Sequence, residues 1–434
     1  MAPGRAEAIG WAPPPWGEGR SDPENIRVAL ITFGPGDEIA SWFGHSAVLV
    51  EDREHGQQRV YNYGMFSFGP DLLPKFLMGR LEFWVGEASL TGTLRQYRAM
   101  NRSIRIQELN LPPELRERMA RALADNARPE NRYYLYHHYD DNCATRIRDL
   151  VDEVLDGRLR EVAEAPGRMT LRDHTRRHSQ HNPFINFVLM LLMNSEIDRP
   201  ITVWDEMFLP EEMERVIADL TYEGPDGEEM PLVRRSTIYF EARDRQPVPT
   251  SPSLVAPYTF AIGLLFGGAG MLLARRHART GGRKARAGFG LYNSLIGIMV
   301  GLPAVLLFLM WTITEHTVTY RNENLLLANP VTFLALPLGI AVAAGSSRAA
   351  RWLCRCWLLL VAGSFLAVIL KILPWFTQDN WMVIAMLLPM NLGMAASWLW
   401  VRGAMPLGLQ LAGEPAPDRE PAASGKAADR HRTG

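Results

Sequence analysis

The chain has 434 residues, room for two or three domains, with a net charge of −1 and a mean hydropathy of −0.08 that suggest an ordinary soluble protein. That average conceals a division: residues 1–253 carry 30 Lys and Arg against 40 Asp and Glu, and the remainder carries 16 against 7. A half with net charge −10 precedes a half with net charge +9, which excludes a single soluble body and implies two solvents.

In chain order, the opening segment "MAPGRAEAIGWAPPPWGEGRSDPEN" contains no apolar run, and residues 1–24 are expected to be disordered. An exported domain normally follows a charged and then apolar signal. A trimmed chain, a displaced start, or export directed by the first membrane span each accounts for its absence.

Residues 25–250 read as one domain with a helical extension. "VALITFG" and "SAVLVED" are β-rich runs, and the polar "REHGQQ" before "RVYNYGMF" marks a hairpin, giving strand, loop, strand, turn, strand. His45 heads the second strand and Asn62 stands in the third. Neighbouring strands lie about 4.8 Å apart, so the two side chains can meet.

Cys143 is the single cysteine before residue 354, and it stands immediately before "ATRIRDLVDEVLDG". Ile147, Leu150, Val151 and Leu155 recur on one helical face, Asn142 suits the N-cap, and Gly157 suits the stop. A thiol in the first turn meets unpaired N–H groups and the positive end of the helix dipole, which favour a thiolate. A nucleophilic thiol also needs a base and a group that orients the base. A buried small residue at a helix start is the competing reading for Cys143. Further on, "FINFVLMLLM" is too short to span a bilayer; it is either an interfacial helix or an ordinary buried one.

Beyond residue 251, apolar stretches at about 254–274, 289–313, 325–345, 355–376 and 380–401 each approach the ~20 residues that cross a bilayer as a helix. Asn329, Pro330 and Pro337 interrupt the third and Lys371 falls in the fourth, so a kinked or re-entrant form stands as the alternative for both. "ARRHARTGGRKARAG" and "SSRAARWLCR" are basic, whereas "TEHTVTYRNEN" and "FTQDN" are not, which puts the basic loops in the cytoplasm and the N-terminal domain outside. Cys354 and Cys356 read as small residues at the inner membrane edge. The tail, 405–434, is expected to be cytoplasmic and disordered. In an oxidising compartment Cys143 has no partner within its domain, so its presence calls for a chemical reason.

The segments "GPGDEIASWFGHSAVLV", "VYNYGMFSF", "PENRYYLYHHYDDNCATRIRDLVDEVLDG" and "WDEMFLPEEM" resemble the N-terminal periplasmic domain of the bacterial lipoprotein N-acyltransferase family Lnb, itself similar to the permuted papain-like (NlpC-type) thiol enzymes. The resemblance covers residues 27–220, and "NEN" with "LLLANP" extends it into the membrane half.

It implies an α+β fold, a permuted papain-like periplasmic domain followed by about five transmembrane helices at 251–404. It further implies Cys143 as nucleophile, His45 as base and Asn62 as third member, with Tyr63 and Asp141 as competitors for that place. The activity implied is transfer of a fatty acyl chain from a phospholipid to the α-amine of a diacylglyceryl-cysteine lipoprotein, in the bacterial inner membrane. The N–H of Cys143 is then a natural oxyanion donor. Membrane lipids are expected partners, with His316, Arg321, Asn322 and Asn324 near their headgroups.

No cofactor, metal or nucleic acid is expected. His137 and His138 beside Cys143 lack the spacing of a zinc site, and no phosphate loop, repeat or nucleotide fingerprint occurs. A thiol hydrolase, acting on cell-wall peptide or phospholipid, and a non-enzymatic envelope assembly factor are the alternative functions.

Overall fold

A computed structural model describes residues 12–66, 74–75 and 78–404; residues 1–11 and the whole tail expected to be disordered, 405–434, lie outside the described residues. Strands β1 (Ile26–Phe33), β2 (His45–Asp52), β3 (Gln57–Met65), β4 (Glu82–Ala88), β5 (Ile104–Leu109) and β6 (Tyr133–Leu135) follow in order. Then β7 (Thr221–Glu223) and β8 (Glu229–Pro231) make a separate hairpin, and β9 (Val233–Phe240) returns to the main sheet. That sheet is antiparallel, ordered β6-β4-β3-β2-β1-β5-β9. Its interior strand β1, next to the central β2, is apolar on both faces, because helices cover both.

The helix Cys143–Val154 packs on one face through Ile147, Leu150, Val151 and Val154, against Val48, Tyr61 and Tyr63. The helix Leu90–Ala99 covers the other, where Leu94 and Tyr97 meet Phe33, Ala47 and Val60. The domain is α+β, as expected.

One expectation fails at the N-terminus. From residue 12 the segment expected to be disordered is ordered: Pro15–Glu18 forms a 3-10 turn, and Trp16 is fully buried with Nε1 donating to Tyr61 Oη at 3.0 Å. A buried tryptophan removes a large apolar area from water, enough to anchor a short segment that has no apolar run.

In the membrane half, Ala256–Thr280, Arg283–Ile313, Ser347–Leu370 and Trp381–Gly403 are long and apolar enough to cross a bilayer. The third stretch is a broken pair, Thr317–Leu326 and Pro330–Ala344, bent by 64°. Asn329 caps the second piece by accepting from the Val331 N–H at 3.0 Å, with Pro330 at its first position. Asn324 at one end touches the N-terminal domain, while Gly345 at the other lies against Arg286, at the start of the second span. The first and fifth spans meet at two glycines, where a Cβ on Gly393 would stand 2.4 Å from the Gly267 Cα; only glycine allows that approach.

The halves are joined by side-chain amides. The short apolar helix Pro183–Leu192 docks Phe187 and Leu191, one turn apart, into the core of the membrane half, and its last carbonyls enter a polar cluster. Asn322 Nδ2 donates to Leu192 O at 2.8 Å, Asn324 Nδ2 to Leu191 O at 2.9 Å, and Gln378 Nε2 to Met193 O at 2.9 Å. Arg176 pairs with Asp379, and Asn194 Nδ2 reaches Tyr320 O at 2.8 Å.

Lys371, expected within the fourth span, instead lies just past its end, and that span is not kinked there. Its ammonium donates to the Glu323 carboxylate and to Gln378 O, with 12% and 8% of the two charged side chains exposed. Lys371→Met should leave Glu323 buried without its counter-charge and lower stability by about 3–5 kcal/mol. Adding Glu323→Gln should recover most of that loss, as measured by thermal unfolding in detergent micelles.

Candidate active site

The thiol is placed by a capped helix start. Asn142 Oδ1 accepts from the N–H groups of Ala144 at 2.8 Å and Thr145 at 3.0 Å, and Thr145 Oγ1 accepts from the Asn142 N–H at 2.8 Å. This reciprocal box satisfies N–H groups that a helix start otherwise leaves unpaired. Asn142 Nδ2 also donates to His138 O at 2.6 Å and Phe208 O at 3.0 Å. Every hydrogen-bonding position of that amide has a partner. Asn142, a candidate supporting residue, therefore acts by holding Cys143.

His45 and Asn62 stand diagonally on neighbouring strands. The register pairs Ala47 with Asn62, so His45, two residues from Ala47, shares a face with Asn62. His45 Nε2–H donates to Asn62 Oδ1 at 3.4 Å, which leaves Nδ1 as the basic nitrogen. The imidazole is stacked beside Phe33 and Tyr97, with centroids 5.9 and 6.0 Å away.

These rings lie on the sheet face opposite the Cys143 helix, and the link to the thiol runs through the backbone at the start of β2. There the Ser46 N–H, one residue after His45, hydrogen-bonds the thiol. A register irregularity in β3 between Asn62 and Met65 puts Gly64 at φ +86°, and its missing side chain opens space 3.8 Å from Cys143 Cβ. The left-handed backbone favours glycine at this position.

Burial decides the protonation states. It pushes the Cys143 thiol up from its ordinary value, outweighing the N–H of Ser46, the positive Arg102, and the N–H groups of Ala144 and of Cys143 itself. The thiolate expected from the helix start is therefore not the resting form. Desolvation likewise lowers His45 to about 4, helped by Arg102 and opposed by the Asn62 bond. Near neutral pH the pair is an uncharged thiol and an uncharged imidazole.

The competitors for the third place lie elsewhere. Tyr63 is a core aromatic whose hydroxyl accepts from Asn126 Nδ2 at 2.9 Å, and burial raises it to about 12. The Asp141 carboxylate is held by Arg146 Nε at 2.5 Å and Nη2 at 2.7 Å. Neither side chain bonds to His45. Asn322 and Asn324, expected at lipid headgroups, are buried, and their amides close the joint between the halves. His316 and Arg321 belong to the same loop, half-buried and exposed respectively. Among the described residues no group of three or more His, Cys, Asp or Glu side chains could hold a metal ion.

Three residues near the thiol have no signal in the sequence. Arg102 donates through Nε to Gly34 O at 2.7 Å and lies 4.8 Å over the Tyr97 ring, while its buried Nη2 has no partner. Tyr97 and Tyr134 also lie within the electrostatic reach of Cys143. They come from other elements, so no local spacing reveals them.

Residues 12–177 match the family model of the Lnb N-terminal periplasmic domain, and residues 251–403 match that of the Lnb transmembrane domain. No curated protein and no solved structure matches the chain significantly.

Labelling of Cys143 by iodoacetamide should follow a neutral pair. With a thiol raised above its ordinary 9.0, the rate should climb with pH towards and beyond that value. It should show no plateau between about 4 and 9.0, the region where an imidazolium–thiolate pair would hold the rate level. Arg102→Met removes a positive charge that favours the thiolate and should move the rise to higher pH.

Proposed function

The chain belongs to the Lnb family, a family of lipoprotein N-acylation in the cell envelope, and from that premise we propose that it is a lipoprotein N-acyltransferase with Cys143 as nucleophile. It is a multi-pass inner-membrane protein with a periplasmic N-terminal domain. The observation that supports the reading is a Cys143 thiol at a capped helix start, hydrogen-bonded by the N–H of Ser46, the residue that follows His45, whose imidazole bonds Asn62, in a domain joined to a bundle of membrane-spanning helices. The odd number of crossings, with basic loops on the inner side, gives a cytoplasmic C-terminus in this reading.

The donor is a phospholipid and the acceptor a diacylglyceryl-cysteine lipoprotein, both anchored in the outer leaflet beside the domain. Cys143 Sγ attacks the ester carbonyl of the phospholipid while His45 Nδ1 takes the thiol proton. The tetrahedral intermediate collapses, the carbon–oxygen bond breaks, and the leaving alkoxide receives that proton from His45. The products are a Cys143 thioester and a lysophospholipid. The lipoprotein α-amine then attacks the thioester, His45 takes its proton, and the departing sulfur is reprotonated as the amide forms. Proton transfer concurrent with attack suits a pair that rests uncharged. Asn62 keeps Nε2 protonated and so keeps the Nδ1 lone pair available.

Cys143→Ala should abolish N-acylation of a reporter lipoprotein in cells lacking other N-acyltransferases, with the variant still inserted in the membrane. Mass spectrometry of the reporter reads the outcome. A full set of three chains made by the alanine variant refutes the nucleophile. Free fatty acid released with the amine unmodified would identify a hydrolase instead.

A further inference from the structure

We propose that the Tyr134 hydroxyl is the side-chain donor to the oxyanion formed when the Cys143 thiol attacks an acyl carbonyl, which makes Tyr134 a further catalytic residue. The proposal rests on the reading of Cys143 as nucleophile.

Tyr134 sits in the middle of β6, opposite Phe83 of β4, with 8% of its surface exposed. One face of its ring lies 4.3 Å from the Arg146 guanidinium, which Asp141 holds through two hydrogen bonds. The phenol is thus fixed in position by its surroundings. Its hydroxyl is buried and has no hydrogen-bond partner among the described residues. Such a group is rare in a folded protein because its lost hydrogen bonds to water are not replaced.

The neighbouring tyrosines differ in this respect. Tyr61 Oη accepts from Trp16, Tyr63 Oη accepts from Asn126 Nδ2, and Tyr136 Oη lies 3.5 Å from His138 Nδ1. Only the Tyr134 hydroxyl among these four is unpartnered, and it faces the thiol's side of the sheet.

Gly64 shows what it faces. A Cβ built at this glycine would stand 3.8 Å from Cys143 Cβ and 3.8 Å from Tyr134 Oη. The space between the nucleophile and the phenol is therefore open because position 64 has no side chain. An acyl carbonyl placed there lies between the attacking sulfur and an idle O–H donor. The N–H of Cys143, in the first turn of its helix, is the second donor.

Burial and the negative charge of a Cys143 thiolate both raise the phenol, so Tyr134 keeps its proton while the sulfur reacts. As Sγ bonds to the carbonyl carbon, the carbonyl π pair moves onto oxygen, and the Tyr134 O–H donates a hydrogen bond to it without transferring its proton. When the intermediate collapses the pair returns to the C=O bond and the leaving group departs. The same donor acts again when the amine attacks the thioester.

Tyr134→Phe tests the idea in the full-length protein, with vesicles of phosphatidylethanolamine labelled in the acyl chain. The rate of hydroxylamine-labile thioester formation at Cys143 should fall about 10²–10³-fold, the loss typical of removing one oxyanion donor. The KM for the vesicles and the iodoacetamide labelling rate of Cys143 should stay as in the unsubstituted protein. The thermal midpoint should not fall, because the change deletes a hydroxyl that the fold leaves unsatisfied. Thioester formation at the original rate in Tyr134→Phe overturns the proposal, and so does a slowdown accompanied by slower labelling and a lower midpoint. If the unsubstituted protein forms no labile acyl group that Cys143→Ala removes, the nucleophile reading itself fails, a result distinct from either.

Discussion

The Asn142 side chain fixes more of this site than any other single group. Two of its contacts stop the Cys143 helix from fraying, and two more bind the carbonyls of His138 and Phe208, from the strand side and from the helical extension. A capping residue typically contributes about 1 kcal/mol to its helix. Here the same amide also joins three chain segments at one point. The thiol, one residue later, inherits its position from that junction, and the sheet then needs only to offer His45 and the Ser46 N–H at the start of β2.

The second constraint lies at the membrane. The C-terminal carbonyls of Pro183–Leu192 are buried between the halves, where unmet hydrogen bonds are expensive. Asn322, Asn324 and Gln378 meet them from the membrane half, while Lys371 and Glu323 neutralise each other within the same cluster. The domain is therefore held at a fixed height over the bilayer. A flexible tether would let the thiol wander; a joint of buried amides fixes its domain against the membrane half. The extension that forms this joint also supplies Phe208, so the joint and the helix cap are connected through a few residues.

Local patterns made much of this legible. The β-rich runs gave β1 to β3, Asn142 ahead of an amphipathic run gave the helix start, and long apolar stretches gave the spans. Asn329, Pro330 and Pro337 marked the bend in the third crossing, because a proline lacks the N–H that a straight helix needs. What stayed hidden depends on distant packing. Arg102 and Tyr134 approach the thiol from positions 41 and nine residues before it, in geometry set by the sheet. Trp16 orders a proline-rich segment only because a cavity near Tyr61 exists to receive it. Asn322 and Asn324 look like surface polar residues until the carbonyls they cap are in place.

The thiol shows why a correct local argument can give the wrong charge. A helix start stabilises an anion by about 0.3–1 kcal/mol at the surface. Burial can shift a group by 3–5 pKa units, each worth about 1.36 kcal/mol, so desolvation prevails wherever a site is enclosed. The burial that suppresses the thiolate also limits water around the sulfur, and this matters for the proposed thioester, since water and an amine compete for the same carbonyl. A solvated ion pair would attack the donor readily and then lose the acyl group to hydrolysis. In the proposed reaction a neutral thiol and imidazole exchange the proton only as a carbonyl is seated at the sulfur. The intermediate can then wait for a lipid-anchored amine.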